Sequence, residues 1–179
     1  MVEDLLCTAQ GDKKQPQRVK HGWKKPEPGR YKVNTDAAFQ ESSSIAATGA
    51  VLRDEDGCLI AAAAKRYMHL SDVLTAEAIA ARDGLILAIT RGCQRITLDV
   101  DNLALFNLMQ SDMGERSVVA GLWQEIRELS RMFEDFKFSF VYREGNEAAR
   151  PGPGQGERGG ALGPQNQRAP SPTCTCIYV

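Results

Sequence analysis

The chain has no run approaching the ~20 apolar residues that a membrane-spanning helix needs, which argues against an α-helical membrane protein. It has little net charge, -1 in total, so the molecule as a whole is not a polycation that coats nucleic acid. Its five cysteines (Cys7, Cys58, Cys93, Cys174, Cys176) show no paired spacing of the zinc type. Cys58 and Cys93 read as small buried or turn residues and the others sit in the tails, which fits a reduced, intracellular protein. Histidine is scarce: His21 and His69 lie far from every motif and read as surface residues. Met1 to Cys7 is acidic and then polar, unlike a secretory signal.

What remains is a chain of 179 residues, 42% hydrophobic and 25% charged, with room for one domain with a real core plus tails. Residues 1–22 read as a disordered polar and basic leader. Between 11 and 32 stand Lys13, Lys14, Arg18, Lys20, Lys24, Lys25, Arg30 and Lys32 against Asp12 and Glu27. Such a run either touches a phosphate backbone or is simply solvated. Residues 150–179 read as a disordered tail, because Pro151 to Pro172 holds six Gly and five Pro. That composition buries too little apolar surface to offset the entropy of ordering it. Cys176-Ile-Tyr-Val179 has the outline of a prenylation box, but a terminal Val and a bulky Tyr argue against one.

Between the tails, residues 23–149 are patterned as one domain. Trp23-Lys-Lys-Pro-Glu-Pro-Gly29 is punctuation before a strand at Tyr31–Ala37. Gln40–Ser44 is a loop. Apolar runs at Ala46–Arg53 and Cys58–Tyr67 flank Asp54-Glu-Asp-Gly57, a hairpin signal, so the first three strands form an antiparallel meander. A helix follows over Val73–Arg91, capped by Ser71 or Asp72 and stopped by Gly92. Its buried stripe is Leu74, Ala78, Ala81, Leu85 and Ala88. Then come a strand at Ile96–Asp101, a helix at Leu103–Gln110 capped by Asn102, a helix at Val118–Phe133, and a last strand at Phe136–Tyr142.

Three acids stand where carboxylates are hard to justify. Asp36 ends the first strand's alternation, Asp101 ends the fourth strand, and Glu77 shares the small-residue face of the first helix with Ala81 and Gly84. Taken singly, Glu77 at a stripe's edge could snorkel to water, and Asp101 could be a plain turn residue. The strand order, however, places the strands of Asp36 and Asp101 side by side at the sheet's centre. Together the three suit a hard cation such as Mg²⁺, which takes oxygen ligands around an open cleft. A pair of such ions can activate water and stabilise the leaving oxygen of a phosphodiester. Asp99 shares a strand face with Asp101 and reads as a supporting or edge group. Asp54, Glu55, Asp56 and Asp83 read as turn or surface charges.

The segment from Trp23 to Ala149 resembles the reverse-transcriptase-like ribonuclease H domain common in plant genomes. The resemblance rests on Trp23…Pro26…Pro28-Gly29, Lys32-Val-Asn-Thr-Asp36-Ala-Ala-Phe39 and Gly49-Ala-Val-Leu-Arg-Asp-Glu-Asp-Gly57. It continues through Thr75-Ala-Glu77-Ala…Ala81-Arg-Asp-Gly-Leu85, Asp99-Val-Asp101-Asn102 and Arg143-Glu-Gly-Asn146-Glu-Ala-Ala149. It implies an α/β ribonuclease H-like fold: a five-stranded mixed sheet with helices on both faces. It also implies Mg²⁺-dependent (or Mn²⁺-dependent) endonucleolytic cleavage of the RNA strand of RNA–DNA hybrids. Asp36, Glu77 and Asp101 match three metal ligands of that family. The family's fourth acid opens a helix after the Arg-Glu-Gly-Asn motif; here Arg150 stands there, followed by Pro-Gly-Pro-Gly, so the final helix is expected to be missing. The altered end reads as a frameshift, an alternative splice product or a mistaken gene model. The alternative to an active nuclease is therefore a nucleic-acid-binding remnant without turnover.

Recognition of shape and 2′-hydroxyl suits such a protein. The candidate contacts are the Gln40–Ser44 loop, Asn102, Arg143 and Asn146, with Arg143 otherwise free to pair with Glu144 or Glu147 at little gain. A monomer is expected, with nucleic acid and no membrane as partner.

Overall fold

Alternating side chains make the first strand longer than its motif. β1 runs Tyr31–Gln40 and pairs antiparallel with β2 (Ile45–Arg53), which pairs antiparallel with β3 (Leu59–Met68). The β2–β3 turn closes through Gly57 at φ 83°, whose amide bonds the Asp54 carbonyl at 2.9 Å. The computed structural model describes residues 23–149 and 175–178. His21, Cys7, Cys174, Arg150, the Lys13–Lys20 part of the basic run and most of both expected tails lie outside the described residues. Within the stretch read as disordered, Thr175–Tyr178 instead forms a short strand, β6, parallel to β3.

After β3 the chain crosses the sheet as α1 (Val73–Thr90), capped by the Asp72 carboxylate on the Thr75 amide at 2.8 Å. It returns as β4 (Arg95–Val100), which lies parallel to β1 with Asn34 level with Asp99. α2 (Leu103–Met109) and α3 (Ala120–Ser130) follow, and β5 (Asp135–Phe140) pairs parallel with β4. The order β5-β4-β1-β2-β3, extended by β6, is a mixed sheet in which β1, which carries Asp36, lies beside β4, which leads into Asp101.

Helix packing is asymmetric. Val33 and Thr35 of β1, Leu98 of β4 and Thr48 of β2 face α1. Gly84 lets the helix come close, since a Cβ there would stand 2.5 Å from Thr35 Cγ2 and 2.9 Å from Val33 Cγ1. α3 packs on α1, and Phe106 of α2 stacks on Phe138 of β5 at 5.8 Å. The core is Leu52, Leu85, Ile96, Leu98, Leu105 and Ile126, all essentially inaccessible to solvent. Truncating any one of them to Ala would cost about 2–5 kcal/mol. The opposite face, carrying Lys32, Asn34 and Asp99, meets a strap over Trp23–Glu27 and the 3₁₀ turns Arg143–Gly145 and Glu147–Ala149. The mixed sheet is flanked by helices as expected, and among the described residues no α-helix follows β5.

Several boundaries move. α3 begins at Ala120 because Val118 is 84% exposed and belongs to the approach, with Trp123 and Ile126 as its buried residues. β5 ends at Phe140 because Tyr142 already opens the turn that carries Arg143. Two cations counted with the basic leader belong to the interior. Arg30 donates to the Ile96 carbonyl and pairs with Asp135, and Lys32 pairs with Asp99 at 3.1 Å. Asp83, read as a surface charge, is 5% exposed. Its carboxylate accepts from Tyr67 at 2.7 Å, Thr48 at 3.2 Å and Arg82 at 3.1 Å, with Lys65 at 3.4 Å. Those partners come mostly from β2 and β3, far off in sequence.

Candidate metal centre

β4 ends at Val100, while β1 runs on to Gln40 without a partner from β4 beyond Asn34. Past that point a helix residue can meet strand residues around the free side of β1. Asp36 therefore lies in mid-strand rather than at a strand end, beside the gap that β4 leaves. Asp101 follows the last β4 residue, and Glu77 comes from the second turn of α1. Each of the three offers a carboxylate oxygen, and these oxygens all lie within 4.8 Å of one another.

Electrostatics make this arrangement costly without a cation. Glu77 is 4% exposed and Asp36 8% exposed. Burial pushes the Glu77 carboxyl up to about 8, and the neighbouring charges of Asp36 and Asp101 push the same way. Arg143 and the Ala37 backbone amide pull it back only in part. Asp101 Oδ1 is buried and has no hydrogen-bond partner among the described residues. Crowded like charges and an orphaned carboxylate oxygen are the environment a hard divalent cation satisfies, so the three residues fit one.

The surroundings assign different parts to the other expected residues. Asn102 accepts from the Leu105 amide at 3.0 Å, so it caps α2 and fixes the turn just after Asp101. Arg143 is exposed and makes no ion pair with Glu144 or Glu147; its charge favours the ionised Glu77 carboxyl. Of the expected Gln40–Ser44 loop, Gln40 ends β1, Glu41–Ser43 form an exposed 3₁₀ turn and Ser44 is half-buried.

Asn146 is not at the surface. It is fully buried, donating to the Thr35 carbonyl at 2.8 Å and accepting from Asn34 Nδ2 at 3.0 Å. Both of its amide ends are spent inside the fold, so it clamps the turn after β5 onto the two residues before Asp36. Asn34 also accepts from the Trp23 indole at 3.1 Å.

The residue pair missed on sequence is Lys32 with Asp99. Asp99 is 1% exposed, and burial raises its carboxyl while Lys32 lowers it. The available signal was the shared strand parity of Lys32, Asn34 and Asp36 on β1, with Asp99 on the neighbouring β4. His69 sits exposed at φ 62°, and Cys58 is exposed while Cys93 is buried. No described helix is long and apolar enough to cross a membrane.

The family described as reverse transcriptase-like matches residues 34–151. No curated protein matches the chain. Among solved structures, the chain is similar to RNase H1 of the halophilic archaeon Halobacterium salinarum, at 24% identity and a TM-score of 0.61, covering 67% of this chain and 91% of that one. It is similar to the N-terminal RNase H domain of a Mycobacterium tuberculosis protein, at 18% identity and a TM-score of 0.59, over 67% and 87% of the two chains. A third is LC11-RNase H1, from compost, in complex with an RNA/DNA hybrid, at 17% identity and a TM-score of 0.59, over 66% and 90%. At these identities the likeness establishes a shared ribonuclease H fold.

Proposed function

Because the chain belongs to the reverse transcriptase-like family, we propose that it is a divalent-metal-dependent endonuclease that hydrolyses the RNA strand of RNA–DNA hybrids. The observation that carries this reading is the convergence of Asp36, Glu77 and Asp101, with carboxylate oxygens within 4.8 Å. Mg²⁺ is the proposed ion, with Mn²⁺ able to replace it, and the three carboxylates are its ligands. Bound there, the ion supplies Lewis acidity toward a phosphodiester. The chain's own groups do the rest. Arg143, exposed at the rim, offsets phosphate charge. Asn102 holds the backbone after Asp101 in the capping turn, and Asn146 keeps the Arg143 turn pressed on β1. Asn102 and the Gln40–Ser44 loop are the proposed contacts to backbone and 2′-hydroxyl groups.

The LC11-RNase H1 structure, which holds a hybrid, supports the choice of substrate class. A second reading is favoured by the residue after Ala149: Arg150 stands where the resemblance expects a fourth acid, which fits a hybrid-binding protein without turnover. A cleavage assay on labelled hybrid in Mg²⁺ or Mn²⁺ separates the two. Cutting by the parent chain and none by Asp101→Asn supports the nuclease; equal rates in the two would remove the site assignment.

A further inference from the structure

The sheet face opposite α1 contains a cleft of about 460 Å³ that the acid cluster does not use. Its floor includes the buried Lys32–Asp99 ion pair. One wall is the Trp23–Glu27 strap, and the other is Lys137 with the chain leading to Tyr142. The strap is built in. The Trp23 indole donates to Asn34, and Lys32 Nζ donates to the Lys24 carbonyl at 2.9 Å. The Arg53 guanidinium lies 5.2 Å from the Trp23 ring. Gly57 leaves room for that ring, since a Cβ there would stand 3.0 Å from it.

The backbone of Lys24 and Lys25 is thus tied to the domain while both side chains are exposed, and neither pairs with an acid among the described residues. Lys137, across the cleft, meets Glu27 at 3.0 Å. Tyr142, 53% exposed, stands edge-on to Phe140 at the end nearest Arg143. Deep in the cleft, Asp99 Oδ1 is buried, and the Lys32 ammonium, the Ser139 hydroxyl and the Asn34 amide all act on this carboxylate.

Lysines at a rim, an exposed ring and a buried acceptor suit a ligand with spaced anions, flat rings and amino groups. That is single-stranded nucleic acid, which binds through backbone charge and stacking. The volume lies within the range of small-ligand sites and has no room for a duplex. Position links the cleft to the acids. Asp99 precedes Asp101 by two residues, with Asp101 just past the end of β4, and Tyr142 leads into the turn that presents Arg143. We propose that this cleft holds the single-stranded extension of a nucleic acid whose duplex part lies at the acid cluster, a proposal that rests on the nuclease reading above.

The test uses the full chain carrying Asp101→Asn, so that substrate stays intact, with and without Lys24→Ala/Lys25→Ala. Fluorescence anisotropy compares a blunt RNA–DNA hybrid, hybrids with a 5′ or a 3′ single-stranded extension, and the single strand alone. An extension of one polarity is expected to tighten binding about tenfold. The lysine variant is expected to erase that gain and leave the blunt hybrid within about twofold. An extension that adds nothing overturns the proposal, as does a lysine variant that weakens blunt and extended hybrids equally. So does equal binding of a poly-glutamate peptide, which would mark a general anion patch. If the blunt hybrid does not bind at all, the nuclease reading fails, and the single strand alone then decides the cleft. Lysine-dependent binding of that strand supports the cleft; absent or unchanged binding overturns it.

Discussion

Helix α1 carries two buried carboxylates of opposite character. Asp83 is 5% exposed and Glu77 4% exposed, six residues apart on one helix. Around Asp83 stand a phenol, a hydroxyl, a guanidinium and an ammonium, all donors. Around Glu77 stand two more acids, with Arg143 the compensating cation. Burial alone therefore does not mark a functional acid. A buried carboxylate that the fold supplies with donors is structural. One that the fold crowds with other carboxylates is waiting for a cation from outside.

The sharpest way to break this contrast is to exchange the phenotypes. Asp101→Asn should lower hybrid cleavage by at least ~10²-fold, with the folded protein retained by circular dichroism. An unchanged rate would remove the distinction between the two clusters. Asp83→Ala should do the reverse. Leaving Lys65 and Arg82 without their buried partner should cost about 3–5 kcal/mol in urea unfolding, while the rate per folded molecule stays near that of the parent.

A third measurement turns on pH. The Glu77 carboxyl ionises at about 8 in the metal-free fold against an ordinary 4.5. Between those values the folded state holds a proton that the unfolded chain has released. Metal-free stability should accordingly fall as pH rises from 4.5 to 8 and level off above that. The full difference is of the order of a few kcal/mol, at about 1.4 kcal/mol per pKa unit. Glu77→Gln should flatten this dependence and raise the metal-free melting temperature at pH 8. Asp83→Asn should not flatten it. Melts that fall in parallel for parent and Glu77→Gln would show that Glu77 is not the strained member.

The smallest effect concerns the clamp between the site and the turn after β5. Asn146→Ala leaves the Asn34 amide and the Thr35 carbonyl without their partner and should cost about 1–3 kcal/mol. Asn146→Asp, which buries a carboxylate against the Thr35 carbonyl, should cost more. Arg143→Ala, in contrast, should leave stability alone and lower the salt dependence of hybrid binding by about one phosphate contact.

Much of this was legible in the amino-acid order. The strand alternation, the Asp72 and Asn102 caps and the Asp54–Gly57 turn are local effects, set by neighbours a few residues away, so they could be read directly. The same holds for the spacing that brings Asp36, Glu77 and Asp101 onto adjoining elements. Asp83, Lys32 and Asn146 were misread for the opposite reason. Each is polar and looks solvated in isolation, and each finds its partners far away: Asp83 on β2 and β3, Lys32 on Asp99, Asn146 on Asn34 and Thr35.

By itself, then, the sequence determined which segments become strands and helices and which acids could share an ion, because periodicity and spacing act over a turn or a strand. Only the tertiary structure decided which buried charges are satisfied and which are left crowded. Desolvation and pairing depend on every group packed around a carboxylate, and folding chooses that company.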